Sequence, residues 1–505
     1  MKKSKKSKDD KIYGYNRIAA VGVFILLCIF PLFMTDGYHN ITISKYHFFC
    51  ISAICFTLLS VVSYYTGSGY KQNIKEQKNT TDICMLIFMI ACIASWLFSS
   101  HRIEAFSGSA GRHMGLVLML LMIMAYFFVS RAYIISYREI ALFGISIIII
   151  CAFAVIQYIG FDPFNLLADI LKKQRKSFIA FSGNINVFAS YLCISVPLFM
   201  YLFCTEIKKK RLILYTCTLV FGFFGIITSN SDSGILGLAA AFFIIFLLCC
   251  KDSKMFSKFW LLVSICASSF LLFSLLRMIF KSKVRRAETL YVFLLKPWLC
   301  AAVILISVTL FLIIRKFPIS EKALKIIRIS VIVLTVLIII SFIAAIVYFT
   351  FFNTKKSLGK LSHYLRFNNK WGSERGKLWR KLAHAYAEFP ILKKIFGAGE
   401  DTVALVLKET YGSSIKTTVG QYFDNAHNEP FQYLVTLGIF GVSSYLASLG
   451  TAVKSGIKSD AQFNKAAAVC VCVYFVQSLV ALNQPITTPL LFIFLGLTRS
   501  RSENE

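Results

Sequence analysis

The sequence predicts an all-α polytopic membrane protein with about fourteen transmembrane helices (twelve to fourteen) and one large extracytoplasmic loop. Three observations carry this reading. The 505 residues are 57% hydrophobic with a mean hydropathy of +0.68, well above an ordinary soluble domain. The apolar residues arrive in long charge-free blocks such as Ile140–Ile159 and Val331–Phe352, the length a helix needs to cross hydrocarbon. Only one stretch, residues 353–427, is both long and polar.

Met1 to Arg17 is Lys-rich and precedes an apolar stretch too long for a signal-peptide core, with no small-x-small cleavage site before Asp36. It reads as a cytoplasmic basic N-terminus, 1–17, before an uncleaved first span. The predicted spans are 18–35, 46–65, 82–99, 114–130, 139–160, 187–205, 212–228, 234–250, 259–280, 297–314 and 329–352, helices one to eleven of a region covering 18–352. The loop 353–427 follows, then 428–449, 466–482 and 485–498 within 428–498, and a tail at 499–505. Lys and Arg in short loops set the orientation. Outside the long loop, the segments inner under this topology hold 29 of them and the outer ones 13, counting Arg277 at the outer end of its span, which places both ends in the cytoplasm.

The formal charge is +31, from 55 Lys and Arg against 24 Asp and Glu. Without a basic soluble domain or an RRM or zinc-finger signature, nucleic acid is excluded as a partner. Two predicted outer segments break the charge rule, Lys172–Lys176 and Arg277–Arg286. They point either to lipid headgroups or to an anionic substrate held outside. The 15 cysteines lie in apolar blocks with no C-x-x-C pair, so neither a disulfide framework nor a zinc site is predicted. No Asp-x-Asp or outer-loop His pair suggests a metal, and no cofactor is expected.

Within 353–427, Glu374–Phe389 reads as an amphipathic helix with Leu378, Leu382, Ala385, Tyr386 and Phe389 on one face. Arg375, Trp379 and Lys381 then fall toward water or the membrane interface. Pro390 stops this helix. A turn follows at Gly397-Ala398-Gly399, then a short helix over Asp401–Glu409. The loop ends in Asp424-Asn425-Ala426-His427-Asn428-Glu429-Pro430, where Asp424 or Asn425 can cap the next span and Pro430 suits a first turn. His427 at such a helix start is either a structural interface histidine or a base. The helix dipole favours its neutral form while Asp424 and Glu429 favour imidazolium.

The run His427-Asn428, nine residues, Gly438, two residues, Gly441 resembles the signature of the O-antigen ligase and polymerase superfamily. Four further segments are similar in order: Gly111-Arg112-His113-Met114-Gly115, Ser182-Gly183-Asn184-Ile185-Asn186, Ser373-Glu374-Arg375-Gly376-Lys377-Leu378-Trp379, and Pro390 to Gly399. The resemblance spans about Arg112 to Gly441. It implies a metal-independent membrane glycosyltransferase, grouped with multi-spanning lipid-carrier enzymes in the bacterial cytoplasmic membrane, with its active site outside. Such a protein moves a glycan from undecaprenyl diphosphate to a hydroxyl of a glycan or cell-envelope acceptor, with membrane lipid as its surroundings.

Carried over, His427 is the base or acceptor-orienting group and Arg375 stabilises the leaving diphosphate. Arg112 is a second diphosphate candidate or a headgroup anchor, and Arg175 either assists or belongs to the basic patch. Asn184 and Asn186 line the cavity or cap a helix, and Asn428 stands beside the histidine. One departure is plain. Where the family often carries Ser-Arg, this chain reads Thr228-Ser229-Asn230-Ser231-Asp232-Ser233, with Asp232 either a cap or a sugar-binding carboxylate. The rival class is a transporter or flippase of lipid-linked glycans, or a non-catalytic membrane protein. A transporter favours repeated halves, and no internal repeat is visible.

Overall fold

The computed structural model describes residues 17–66, 80–109, 111–281, 284–285, 287–354, 357–413, 415–416 and 422–502. Most of the predicted basic N-terminus and inner segment 66–81, together with Lys283, Arg286 and the last three residues of the tail, lie outside them.

The first helices are α1 (Arg17–Ile29), α2 (Ile41–Thr66), α3 (Thr80–Phe98), α4 (Arg102–Ser107), α5 (Leu116–Ala132) and α6 (Tyr137–Tyr158). Then come α7 (Ile185–Thr205), α8 (Lys209–Ser229), α9 (Asp232–Cys249), α10 (Ser253–Ile279), α11 (Thr289–Leu294), α12 (Pro297–Lys316) and α13 (Glu321–Val347). The loop holds α14 (Ser362–Leu365), α15 (Trp371–Glu388), α16 (Ile391–Phe396) and α17 (Val403–Tyr411), before α18 (Glu429–Lys458), α19 (Gln462–Ser478) and α20 (Thr488–Leu497). Ten of these are long and apolar enough to cross a membrane: α2, α3, α6 to α10, α12, α13 and α18. The shorter helices α1, α5, α19 and α20 occupy the other predicted spans. The protein is an all-α polytopic membrane protein.

Helix α7 is apolar on every face and fully enclosed, the mark of a central helix. It packs on α8, α9, α10 and α19. Lipid supplies little hydrophobic drive for such contacts, so close backbone approach matters. At Gly237 of α9 a methyl group would come within 2.2 Å of Cys193 Sγ on α7. Around this centre α18 packs on α3 and α19, α5 on α20, and α10 on α12. Helix α13 buries none of its apolar window and forms the periphery.

The two ends of the bundle differ. At one, Asp82 accepts from Tyr126 (2.7 Å) and Arg131 (2.7 Å), and Arg501-Ser502 pairs in parallel with Ile134-Ile135. The opposite end gathers residues 99–109, 111–114, 161–186, 229–233, 284–285, 287–296 and 480–486, joined to one another and to the long loop by bonds such as Ser109–Asp401, Arg285–Phe178, Asn230–Glu288, Arg375–Val480 and Asn425–Asn483. The candidate site lies there.

Candidate functional site

The loop folds on a small core of its own. Leu378, Leu382, Ala385 and Phe389 of the predicted face meet Ala398, Val403, Val406, Leu407, Phe423 and Ala426, and Val435 of α18 docks this core on the bundle. Pro390 stops α15 as expected and also precedes α16, a short helix that periodicity did not mark. The chain then crosses α18 at very close range. Gly438 breaks that helix with φ 69° and ψ −172°. The carbonyls of Val435 and Thr436, freed by the break, accept from Ala398 N (3.1 Å) and Gly399 N (2.9 Å). Ser95 and Ser99 of the α3 end add hydroxyl bonds to Thr436 O and Ala398 O, each 2.6 Å. The Gly-x-Gly turn and the later glycine thus serve one junction, which satisfies backbone groups that a kink would otherwise orphan.

That junction fixes the segment before α18. Ala426 is clamped from both sides, its N donating to Gln432 Oε1 (2.8 Å) and its O accepting from Trp379 Nε1 (2.8 Å). Asn425 donates to Asn483 Oδ1 (2.7 Å) and accepts from His427 N (2.9 Å). The cap of α18 is Asn428, accepting from Phe431 N (2.9 Å), rather than Asp424 or Asn425 as predicted. His427 therefore sits one residue outside the helix, in the left-handed region with φ 51°, where a non-glycine residue signals a held conformation. Among the described residues its ring makes no hydrogen bond.

The charges around His427 come from distant parts of the chain. Arg112 grips Asp424 through both carboxylate oxygens, at 2.9 Å each. Arg375 is turned inward, not to water: Nη2 donates to Val480 O (2.8 Å), Nη1 to Gly372 O (3.0 Å), and Nε is buried without an acceptor. Trp379 likewise points inward. The predicted outward face for this pair is wrong because Gly372, Ser373 and Glu374 all take positive φ, so the helical turn starts only at Arg375. Burial, then the positive charges of Arg375 and Arg112, push the His427 pKa down to about 4, against an opposing pull from Asp424. Glu429 is no part of this balance, since it turns inward and accepts from Tyr445 (3.1 Å). The imidazole is neutral at pH 7.

Two acids missed by sequence reading anchor the site. Asp401 accepts from Ser109 N (2.8 Å) and Met114 N (3.1 Å) and so holds the turn that carries Arg112. Burial raises its pKa to about 7. Beside it, burial raises the pKa of Glu400 to about 8, against the opposing pull of its own backbone N–H and of the Cys92 thiol. Their position directly after Gly397-Ala398-Gly399 was the available signal. Because the folded-state pKa of Glu400 is raised, its stabilising contribution is complete below about 4.5 and is lost as pH climbs through about 8. Glu400→Gln should therefore flatten the fall of melting temperature between pH 5 and 8 in detergent. An unchanged slope would contradict the burial argument.

The remaining predicted residues divide. Asn184 caps α7, accepting from Asn186 N (2.8 Å). Asn186 accepts from Ser231 Oγ (2.6 Å), which continues through Ser233 to Gln477. Asn186 thereby joins the turn that contains Asp232, whose charge reaches Arg375. Arg175 is spent on its own loop, donating to Ile170 O (2.9 Å) and Ala168 O (3.2 Å), and is not brought to His427.

Fold and site together define a multi-pass helical membrane protein in which one long loop holds a neutral histidine beside two arginines at the end of the bundle. Residues 296–446, less than half of the chain, match the family model for O-antigen ligase, which supports a glycosyltransferase-like membrane function. Comparison with curated proteins gives no match.

Proposed function

We propose that the protein transfers a glycan from a polyprenyl diphosphate, undecaprenyl diphosphate in a bacterial membrane, to an acceptor hydroxyl at the extracytoplasmic face. The observation that carries this reading is the neutral, unbonded imidazole of His427 within the field of Arg375 and Arg112. As the acceptor oxygen bonds to the anomeric carbon, the bond from that carbon to the diphosphate breaks and the hydroxyl proton passes to His427. Charge developing on the leaving diphosphate is met by Arg375. A bound diphosphate also offsets the two arginines, which raises the basicity of His427 when the donor is present. The Asp424–Arg112 pair orients the segment 424–427.

The test is transfer by purified protein in lipid, with lipid-linked oligosaccharide from the native host as donor and acceptor. The readouts are free polyprenyl diphosphate and glycan length. Released carrier supports the reading, and product length separates a polymerase from a ligase. An inert protein with authentic substrates overturns it and favours transport.

The pH profile is a further check. With the free-enzyme pKa near 4, kcat/KM should stay level from pH 7 to 5 and fall near pH 4. Arg375→Gln removes a repelling charge, so the acid limb of its residual activity should move up. A limb that stays in place would exclude His427 as the titrating base or Arg375 as its neighbour.

A further inference from the structure

The connection between α1 and α2, with the first turns of α2, encloses an open-sided cavity of about 410 Å³ that the His427 chemistry does not use. Its volume suits a small ligand. The lining is divided. Phe33 and Phe48 form an apolar floor, their ring centroids 4.4 Å apart. Asp36, Asn40 and His47 stand around it with the hydroxyls of Thr35 and Ser44.

The fold accounts for only part of this lining. Tyr38 ties the connection to Ala180 O (2.8 Å) and Gln157 Oε1 (3.0 Å). Lys45 fastens the end of α1 by donating to Phe30 O (2.6 Å) and Pro31 O (2.7 Å). Thr35 and Ser44 bond to each other. The side chains of Asp36, Asn40 and His47 make no hydrogen bond among the described residues. Asp36 is nonetheless held at φ 53°, beside Gly37 at φ 60°, where a non-glycine residue signals a held conformation.

The polar set decides the ligand class. A carboxylate only accepts, whereas an amide and an imidazole can both accept and donate. Such a set matches neighbouring hydroxyls, each of which does both. Among the described residues no Lys or Arg lines the cavity, and its carboxylate repels phosphate. The apolar floor adds a second condition, a ligand with C–H bonds on one face. A pyranose ring, with hydroxyls around its rim and C–H bonds on its faces, meets both.

The position is informative. Tyr46, on the same helix, packs its ring 5.2 Å from that of His113. The residue before His113 is Arg112, which grips Asp424, three residues ahead of His427. The cavity therefore borders the structure that holds the candidate base, on a side of the bundle outside the stretch matched to O-antigen ligase.

We propose that this cavity holds a sugar unit of the acceptor glycan, other than the unit whose hydroxyl reacts at His427. The assignment rests on the transfer reading above and gives the acceptor a contact away from the reacting atoms.

The test is binding of carrier-free oligosaccharide, released by mild acid from the host's lipid-linked material, to the full chain in phosphatidylcholine nanodiscs. Asp36→Asn removes the charge, and asparagine tolerates the left-handed backbone. Saturable binding should weaken by about tenfold in Asp36→Asn and measurably in His47→Ala. His39→Ala, exposed beside the cavity but not lining it, should bind as wild type. In transfer, Asp36→Asn should raise KM for the acceptor and leave kcat in place, as loss of uniform binding does. Equal binding by wild type and both cavity variants overturns the proposal, as does no wild-type binding at millimolar oligosaccharide. Displacement by phosphatidylethanolamine at ordinary membrane content marks a headgroup site and overturns it too. Binding is read without transfer, so the two readings fail separately. An unchanged acceptor KM in Asp36→Asn removes only this subsite. Asp36-dependent binding by a protein inert in transfer removes the enzyme and leaves a saccharide site.

Discussion

His427→Ala is expected to lower kcat for glycan transfer by about 10²- to 10⁴-fold, the range over which a positioned base contributes, while donor binding stays near the wild-type value. The reason is geometric. The ring makes no hydrogen bond among the described residues, and its backbone is held independently by Asn425, by the clamp on Ala426 and by the Asn428 cap. Truncation should therefore remove chemistry and leave the loop in place, so kcat and kcat/KM fall together. A residual rate within threefold of wild type, in a variant that melts normally, would exclude His427 as the base. A variant that no longer melts cooperatively would show that the ring is a structural part of the loop.

Gly438→Ala should be as severe, through the fold. The residue combines φ 69° with ψ −172°, a region essentially confined to glycine. An added methyl group would also lie 2.2 Å from Ile395 O and 2.7 Å from Gly397 N. Both neighbours are backbone, so no side chain can swing away. A loss of about 4 kcal/mol or more is expected, seen as failed accumulation or a collapsed melting transition. Gly450→Ala on the same helix is the control. A methyl group there meets nothing within 4 Å, and alanine is the better helix former. If both variants behave alike, the crossing of 397–399 over α18 does not hold the loop.

These two residues mark what the sequence contained and what it withheld. The spans were legible because hydrocarbon demands long apolar blocks, and that demand acts locally along the chain. The amphipathic helix at 375–388 was legible for a similar reason, since its apolar face repeats at helical spacing. His427, Arg375 and Gly438 could be singled out by their order and spacing. Their purposes could not. Gly438 reads as one glycine in a helix until the carbonyls of Val435 and Thr436 are seen to accept from residues 37 positions earlier. Arg375 read as outward because periodicity began the helix at Glu374, whose positive φ, with those of Gly372 and Ser373, turns the chain there instead.

By itself the sequence determined the membrane class, the helical architecture, the one folded loop and the candidate histidine. Only the tertiary structure decided the charge state of His427, because burial and two arginines 52 and 315 residues away act through space. It also gave Arg175 to its own loop and brought Lys176, Arg277 and Arg285 around one cavity. Electrostatic interaction depends on distance and dielectric, and neither is written in the order of residues.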